Sequence, residues 1–187
     1  MLTIYLTSVI ESKSDGHAEN LEFYLARIAE KDTQALADLY YSTNRAVYAF
    51  ALSILKNAHD AEDVLHDCYV QIYSTAESYR AAGKPMAWIM TITRNLCLHK
   101  FRERRKSADV PEDDWDRYLE PQEDFSQDDR LVLQACLEQL SDEERQIVTL
   151  HAVSGFKHRE ISHILQIPLS TVLSKYHRAL KKLKKIL

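Results

Sequence analysis

The sequence is poor in glycine and proline, with three of the former and four of the latter among 187 residues. Both residues are common in turn-rich β-proteins and in disordered chains, so their scarcity favours a helical globular protein. Cysteine is also rare: Cys68, Cys97 and Cys136 are odd in number, far apart and set in apolar helical patterns. This pattern predicts reduced, buried thiols rather than disulfides or a metal site.

Long apolar runs are missing too. No stretch approaches the roughly 20 residues that a membrane-spanning helix needs, so we expect no membrane insertion. Residues 1–10 are apolar, but no basic residue precedes them and no small-residue cleavage site follows, so we expect a cytoplasmic protein without a signal peptide. The chain also lacks a Ser/His/Asp set, a clustered metal-ligand pattern and a phosphate-cradling glycine loop. We therefore predict no enzymatic activity and no cofactor.

Charge is distributed unevenly along the chain, although the net charge is only −4. Residues 106–130 hold ten acids and three bases, whereas residues 94–106 hold six bases and one acid. Residues 171–187 hold six bases and no acid. This pattern predicts two helical units with basic ends, joined by an acidic segment, and basic ends of this kind suit a phosphate backbone.

Helical periodicity dominates the first half, after an N-terminal arm at 1–19 that shows no clean pattern. Apolar residues recur at spacings of three and four, and no β-alternation of useful length is present. Five helices are predicted, and their expected starts are Asn20, a cap at Asp32, the stretch before Val47, a cap at Asp60, and a first turn at Pro85. Residues 20–106 thus form the first predicted domain.

An acidic linker at 107–128 follows, with Pro111, Pro121 and no helical stripe. Its composition fits either a solvated spacer or a strand that occupies a basic channel elsewhere. Helical periodicity resumes in residues 129–187, where Ser141 and Glu144 form a capping-box pattern. The predicted fold is therefore all-α, with two small helical domains joined by an extended linker.

The end of the second domain has the pattern of a helix-turn-helix. A short helix with Ile161, Ile164 and Leu165 precedes a turn at 166–168 and a final amphipathic helix. Small hydroxyl residues near the start of a recognition helix allow close approach to DNA, and long cations reach bases or phosphates. The candidate DNA contacts are Lys157, Arg159, Ser170, Thr171, Ser174, Lys175, Arg178 and Lys181. The alternative is a solvated, charged helix end.

Four short motifs within residues 155–183 point to a family: Glu160-Ile161, Ile167-Pro168, Ser170-Thr171-Val172 and His177-Arg178-Ala179. This segment resembles the fourth conserved region of bacterial RNA polymerase sigma factors of the extracytoplasmic-function group. Response-regulator helix-turn-helix domains share part of this skeleton. The segments 25–32, 35–40, 60–73 and 85–95, however, resemble the second conserved region of the same sigma factors, in the right order and spacing.

The resemblance extends from residue 21 to the C-terminus, except for the acidic linker, and implies three partners: core RNA polymerase, promoter DNA and an anti-sigma factor. It places polymerase contacts at Asp60, Asp63, His66 and Asp67, with His66 at a position where glutamine is usual. It places contacts to the melting proximal promoter element at Tyr79, Arg80, Lys84, Trp88, Thr91, Arg94, Asn95, Arg102 and Arg105. Residues 129–187 would read the distal element, and the linker would thread the polymerase interior toward the RNA path.

Departures from the family pattern fall on the helix-turn-helix. Gln166 stands where the turn often has glycine, Leu173 replaces a common lysine, and Lys175 replaces a common arginine. The promoter sequence therefore cannot be carried over from relatives. The main alternative is a standalone helix-turn-helix regulator whose first half senses a ligand or dimerises, and a hydrolase is a weaker one. Trp88 fits either a core position or a nucleic-acid contact.

Overall fold

The computed structural model describes residues 14–81, 83–107 and 138–185, with side chains described within 20–81, 83–103 and 138–185. All regular structure in these ranges is helical, which confirms the all-α prediction. Seven α-helices and one 3₁₀ turn follow in chain order: α1 Ser14–Ala29, α2 Thr33–Leu55, α3 Ala58–Thr75, the turn Ala76–Ser78, α4 Pro85–Ser107, α5 Asp142–Ala152, α6 His158–Leu165 and α7 Leu169–Leu183.

Helices α1 to α4 pack together around one apolar centre. The largest completely buried side chains there share the helical spacing seen in the sequence, and include Leu25, Ile28, Leu39, Phe50, Ile72 and Ile89. Burial of such side chains contributes about 1.5–3 kcal/mol each relative to full exposure, so this layer dominates the stability of the first unit. It fixes the directions of α3 and α4, which carry the candidate polymerase and DNA contacts.

Two helix boundaries differ from the sequence prediction. Helix α1 starts at Ser14, within the stretch expected to be an arm, and the predicted second and third helices are one continuous helix, α2. No glycine or proline interrupts α2, and the hydroxyls of Ser42 and Thr43 donate to the carbonyls of Asp38 and Leu39 at 2.7 and 2.6 Å. These bonds satisfy the polar side chains inside a continuous helix.

The helix starts follow local capping chemistry. Asp32 caps α2 as predicted, accepting from the amides of Gln34 and Ala35 at 2.8 and 3.1 Å. The cap of α3 is Asn57 rather than Asp60: its side chain accepts from the Asp60 amide at 3.0 Å, which places Asp60 in the first turn. An asparagine caps as well as an aspartate, so the acid three residues on misled the prediction. Pro85 begins α4 as expected.

Helices α5 to α7 form the second unit. The predicted capping box is present. The Ser141 backbone amide donates to the Glu144 carboxylate at 2.9 Å, and the Glu144 backbone amide donates to the Ser141 hydroxyl oxygen at 3.4 Å. The helical pattern predicted before it, at 131–137, lies outside the described residues. Between α6 and α7, Gln166 adopts a left-handed backbone with φ of +57°. The Ser162 hydroxyl ties this turn by donating to the Ile167 carbonyl at 2.7 Å.

The two units pack against each other. Helix α2 contacts α5, α4 contacts α6, and a single buried cluster extends from Leu21 in the first unit to Val172 in the second. An ion pair joins the units at the surface, with Lys56 Nζ 2.8 Å from Asp142 Oδ1. This packing places α6 beside the loop that precedes α4.

Two of the three cysteines lie within the described residues. Cys68 and Cys97 are free thiols in the buried core, as predicted, and Cys136 lies outside the described ranges. Burial raises the pKa of Cys68 to about 11 and that of Cys97 to about 12, so both stay protonated at neutral pH. Among the described helices, none is long and apolar enough to cross a membrane.

Candidate nucleic-acid interface

A cleft of about 370 Å³ opens where the loop before α4 meets α6. Five residues expected to contact the proximal promoter element share its lining, together with residues of α6; the lining is Ser78, Tyr79, Arg80, Lys84, Ala87, Trp88, Thr91, His163 and Ile164. The Tyr79 and Trp88 rings are 5.1 Å apart and tilted by 53°. An aromatic pair beside two cations offers stacking for a base and charge for its phosphate.

Glu22 of α1 holds this loop, and sequence reasoning missed it. One carboxylate oxygen, Oε1, accepts from the Tyr79 hydroxyl at 3.1 Å and from the Gly83 amide at 2.8 Å. Gly83 has φ of +68°, a conformation that glycine adopts without strain. No local pattern in the sequence indicates this bond, because Glu22 lies about sixty positions before its partners.

Beyond the cleft, the remaining candidates extend along α4. Arg94 is half-buried, whereas Asn95 and Arg102 are exposed. Trp88 is half-buried and lines the cleft, so part of its ring packs in the protein and part remains accessible. Arg105 lies on the same helix, but its side chain is outside the described residues. The exposed residues thus continue from the cleft along one helix toward its basic end.

The four candidate polymerase contacts all lie on α3, but they are not equally accessible. His66 and Asp67 are exposed. Asp60 and Asp63 are engaged by Lys100 of α4, whose ammonium is 3.3 Å from Asp60 Oδ1 and 2.5 Å from Asp63 Oδ2. The hydrogen bond from Lys100 is the largest influence on Asp63 and lowers its carboxyl pKa. Lys100, one of the six bases in the segment 94–106, is therefore paired within the chain.

The same acids lie beside His59, whose Nδ1 is 3.5 Å from Asp63 Oδ2. The ligand atoms of His59, Asp60 and Asp63 lie within 4.8 Å of one another. The Lys100 ammonium already supplies the positive charge at this point, and a divalent cation would have to displace it. We therefore interpret the group as an ion-pair network that fixes α3 against α4.

Helix α7 presents one exposed face, which contains four of the eight residues expected to contact the distal promoter element. The exposed residues lie at helical spacing: Ser170, Leu173, Ser174, His177, Arg178 and Lys181. Thr171 is half-buried at its edge, and the opposite face buries Val172 and Ala179. Lys157 and Arg159, at the start of α6, are exposed as well. Seven of the eight candidate distal contacts therefore lie at or near a solvent-facing surface.

The eighth candidate, Lys175, is held within the domain. Its ammonium pairs with Glu143 of α5, and its side chain is 21% exposed. A neighbouring pair repeats the arrangement: Lys182 Nζ lies 2.6 Å from Glu144 Oε2. Burial alone would raise the pKa of Glu144, but Lys182 and the Ser141 amide outweigh it, so the pKa is lowered. These lysines fasten α7 to α5 and are less available to DNA than Arg178 and Lys181.

An aromatic cluster packs α7 against α5 and α6. The centroid of the Tyr176 ring lies 5.0 Å from that of His151 and 4.6 Å from that of His158, and the two histidine rings stack with their centroids 4.8 Å apart. His151 Nδ1 lies 2.8 Å from the Phe156 carbonyl oxygen. Burial, followed by the nearby His151 and His177, lowers the pKa of His158. A neutral His158 is therefore part of the packing that orients the exposed face.

Family models match both halves of the chain. Residues 39–107 match the model described as "Sigma-70 region 2", and residues 130–183 match "Sigma-70, region 4"; together they span more than half of the sequence. The chain belongs to the sigma-70 family, in its extracytoplasmic-function group. A sigma factor is a transcription initiation factor rather than an enzyme. The two matched regions correspond to the two helical units described above.

Similar sigma factors cover nearly all of this one. The sigma factor SigK of Mycobacterium sp. (strain KMS), described as an ECF RNA polymerase sigma factor, is 27% identical over 175 residues, covering 90% of this chain and 91% of the relative. SigK of Mycobacterium ulcerans (strain Agy99) is 27% identical over 179 residues, covering 92% and 96%.

Two solved structures share the fold of this sigma factor. RpoE of Bartonella quintana, solved in complex with the anti-sigma factor NepR, is 23% identical with a TM-score of 0.66, covering 80% of this chain and 94% of that one. CnrH, solved in complex with the cytosolic domain of CnrY, is 19% identical with a TM-score of 0.65, covering 89% and 96%. The likeness over most of both chains confirms the two-unit helical fold.

Proposed function

We propose that this sigma factor binds core RNA polymerase through the exposed side of α3, captures and melts the proximal promoter element at the Tyr79–Trp88 cleft, and reads the distal element with α7. The observation that carries the proposal is the convergence of Tyr79, Arg80, Lys84, Trp88 and Thr91 on one cleft. These residues come from a loop and a helix that a sensor domain has no reason to arrange around an aromatic pair.

The cleft suits an unstacked base. Extruding a base costs a few kcal/mol of stacking and pairing, and aromatic side chains return about 1–3 kcal/mol per stacked base. Tyr79 and Trp88 offer this surface, and Arg80 and Lys84 offer charge for the flanking backbone. In the free chain, His163 and Ile164 of α6 form one wall of the cleft.

Polymerase docking is assigned to α3. His66 and Asp67 are the exposed members of the predicted set, while Asp60 and Asp63 also hold Lys100. A row of carboxylates at helical spacing complements an arginine-rich helical partner. Asp67 supplies the most accessible charge in this row, and Asp63 keeps α3 and α4 in register behind it.

The acidic linker and the regulation of the protein complete the proposal. Residues 107–128 hold nine of the 28 acidic residues of the chain and only one base, which suits a path through the basic interior of the polymerase. The RpoE and CnrH structures are complexes with an anti-sigma factor and with the cytosolic domain of CnrY, and we propose that an anti-sigma factor also regulates this chain. A cytoplasmic location follows from these partners.

Affinity co-purification with core polymerase tests the docking assignment. Asp67→Lys is expected to abolish or strongly reduce recovery of core polymerase because it places a cation in the acidic row. Glu30→Lys, an equal charge reversal at an exposed position in the turn after α1, is the matched control and should leave recovery unchanged. Equal recovery with both variants would contradict the assignment of α3.

Promoter opening is tested with holoenzyme on a promoter selected from a genomic library. A 2-aminopurine base in the proximal element reports unstacking by its fluorescence. Trp88→Ala and the double change Arg80→Ala, Lys84→Ala should slow opening, whereas Arg45→Ala on the exposed side of α2 should not. A chain that binds duplex DNA tightly alone and ignores core polymerase would favour the standalone regulator instead.

A further inference from the structure

The exposed face of α7 contains one large apolar side chain, Leu173, which is 38% exposed. Its neighbours on this face are Ser174, the next residue, and Ser170 and His177, one turn away on either side; all three are polar and exposed. Among the described residues, Leu173 belongs neither to the buried cluster nor to the apolar residues packed against it, although Tyr176 and Ile167 nearby do. Protein packing therefore does not account for a leucine at this position.

The face is divided along its length. Its first half, Ser170 to Ser174, carries no formal charge, whereas Arg178 and Lys181 follow in the second half. In a helix-turn-helix the first turns of the recognition helix enter the major groove and meet base edges, and cations position the helix on phosphates. Leu173 thus lies in the part of the helix that faces bases, and the cations lie where the helix leaves the groove.

Leucine restricts what can be recognised there, because its side chain has no hydrogen-bond donor or acceptor. On the major-groove edges of the four base pairs, the apolar group that an aliphatic side chain can contact is the C5-methyl of thymine. The Ser174 hydroxyl, one position on, donates to the Thr171 carbonyl at 3.0 Å, so its own proton is already used. An aliphatic contact is thus the main base-selective interaction available at this point of the helix.

We propose that Leu173 is a specificity-determining residue that reads the C5-methyl group of a thymine in the distal promoter element. The proposal rests on the function proposed above, since it assigns a base preference to the helix taken to read that element. Removing one methyl from a contact of this kind costs about 0.8 kcal/mol, which corresponds to a roughly fourfold loss of affinity.

The experiment uses holoenzyme assembled from the full chain and core polymerase. Wild-type and Leu173→Ala holoenzymes first select binders from a promoter library with a randomised distal element. The wild type should enrich thymine at one position where the variant shows no preference. Deoxyuridine, which lacks only the methyl group, then replaces that thymine in the selected promoter, and equilibrium binding is measured for both proteins.

The wild-type holoenzyme should bind the deoxyuridine promoter about fourfold more weakly than the thymine promoter, whereas Leu173→Ala should bind both equally. Val153→Ala is the matched control, because Val153 is also an exposed apolar residue but lies outside α7; it should keep the fourfold difference. An equal loss in wild type and Leu173→Ala, or no loss in the wild type, overturns the proposal.

Two other outcomes separate this proposal from the function on which it rests. If Leu173→Ala fails to form holoenzyme, while Val153→Ala forms it normally, Leu173 contacts the polymerase and the assignment to thymine is wrong. If the wild-type holoenzyme forms but enriches no distal sequence, the proposal that α7 reads the distal element is wrong, and so is the role proposed for Leu173.

Discussion

Lys56, at the end of α2, places its ammonium 2.8 Å from the carboxylate of Asp142 at the start of α5, and this ion pair joins the two helical units. Lys56 occupies the left-handed position that ends α2, with φ of +55°. Burial alone would raise the pKa of Asp142, but Lys56 and Arg145 lower it below its ordinary value. The pair therefore persists at neutral pH and weakens as the pH falls through this lowered pKa.

Reversing the charge of Lys56 should loosen the contact between the units. Lys56→Glu places two carboxylates together, and we expect the radius of gyration measured by small-angle X-ray scattering to increase. The partners are more than a quarter exposed, so a double-mutant cycle with Asp142→Lys should give a coupling of at most about 1 kcal/mol.

The matched control for this reversal is Lys31→Glu. Lys31 pairs with Glu77 at 3.0 Å inside the first unit, so its reversal removes an ion pair without touching the contact between the units. A comparable expansion of the Lys31→Glu and Lys56→Glu chains would show that the effect is not specific to the junction.

Gln166→Gly should stabilise the protein. A non-glycine residue in the left-handed region destabilises the folded state by roughly 1–2 kcal/mol, and glycine there removes this cost. The greater flexibility of glycine in the unfolded chain lowers the resulting gain by roughly 0.5–1 kcal/mol. The expected net gain is about 0.5–1 kcal/mol in the free energy of unfolding, measured by urea titration. The exposed Gln166 side chain makes no packing contribution that would offset this gain.

The turn also shows what sequence could predict. The helix-turn-helix pattern places Gln166 where glycine is usual, and the structure shows a positive φ at this residue. Asp32, Pro85 and the Ser141–Glu144 box were likewise predictable, because each acts on amides or dihedrals within three residues of itself. Asn57 was missed because two good caps, Asn57 and Asp60, stood three positions apart.

Contacts between distant segments were beyond reach of the sequence. The convergence of Tyr79, Trp88 and Thr91 could be expected from the family resemblance, but not the support of the loop by Glu22 or the wall formed by His163. Lys100 and Lys175 resembled DNA contacts in the sequence because each lies in a basic helix. Their acidic partners lie on other helices, and only the packing of those helices brings the charges together.

Loss of the cap at α5 should weaken the second unit. Ser141→Ala removes the acceptor for the Glu144 amide, and caps of this kind contribute about 0.5–2 kcal/mol. We expect a loss of about 1 kcal/mol in the free energy of unfolding. Ser74→Ala is the control, because the Ser74 hydroxyl donates to the Val70 carbonyl within α3 and caps no helix. A loss as large in Ser74→Ala would remove the special role of the box.

Acidification should destabilise the helix-turn-helix through His158. Its pKa is lowered from 6.5 because burial and the neighbouring His151 and His177 disfavour the charged ring. Between this lowered pKa and 6.5, the unfolded chain binds more protons than the folded one, so stability is complete above 6.5 and is lost as the pH falls below it. His158→Phe keeps a ring against Tyr176 and should flatten the change in urea midpoint between pH 7.5 and pH about 5.5. His99→Gln, at an exposed position on α4, should retain the wild-type pH dependence, and a wild-type slope in His158→Phe would assign the effect to another group.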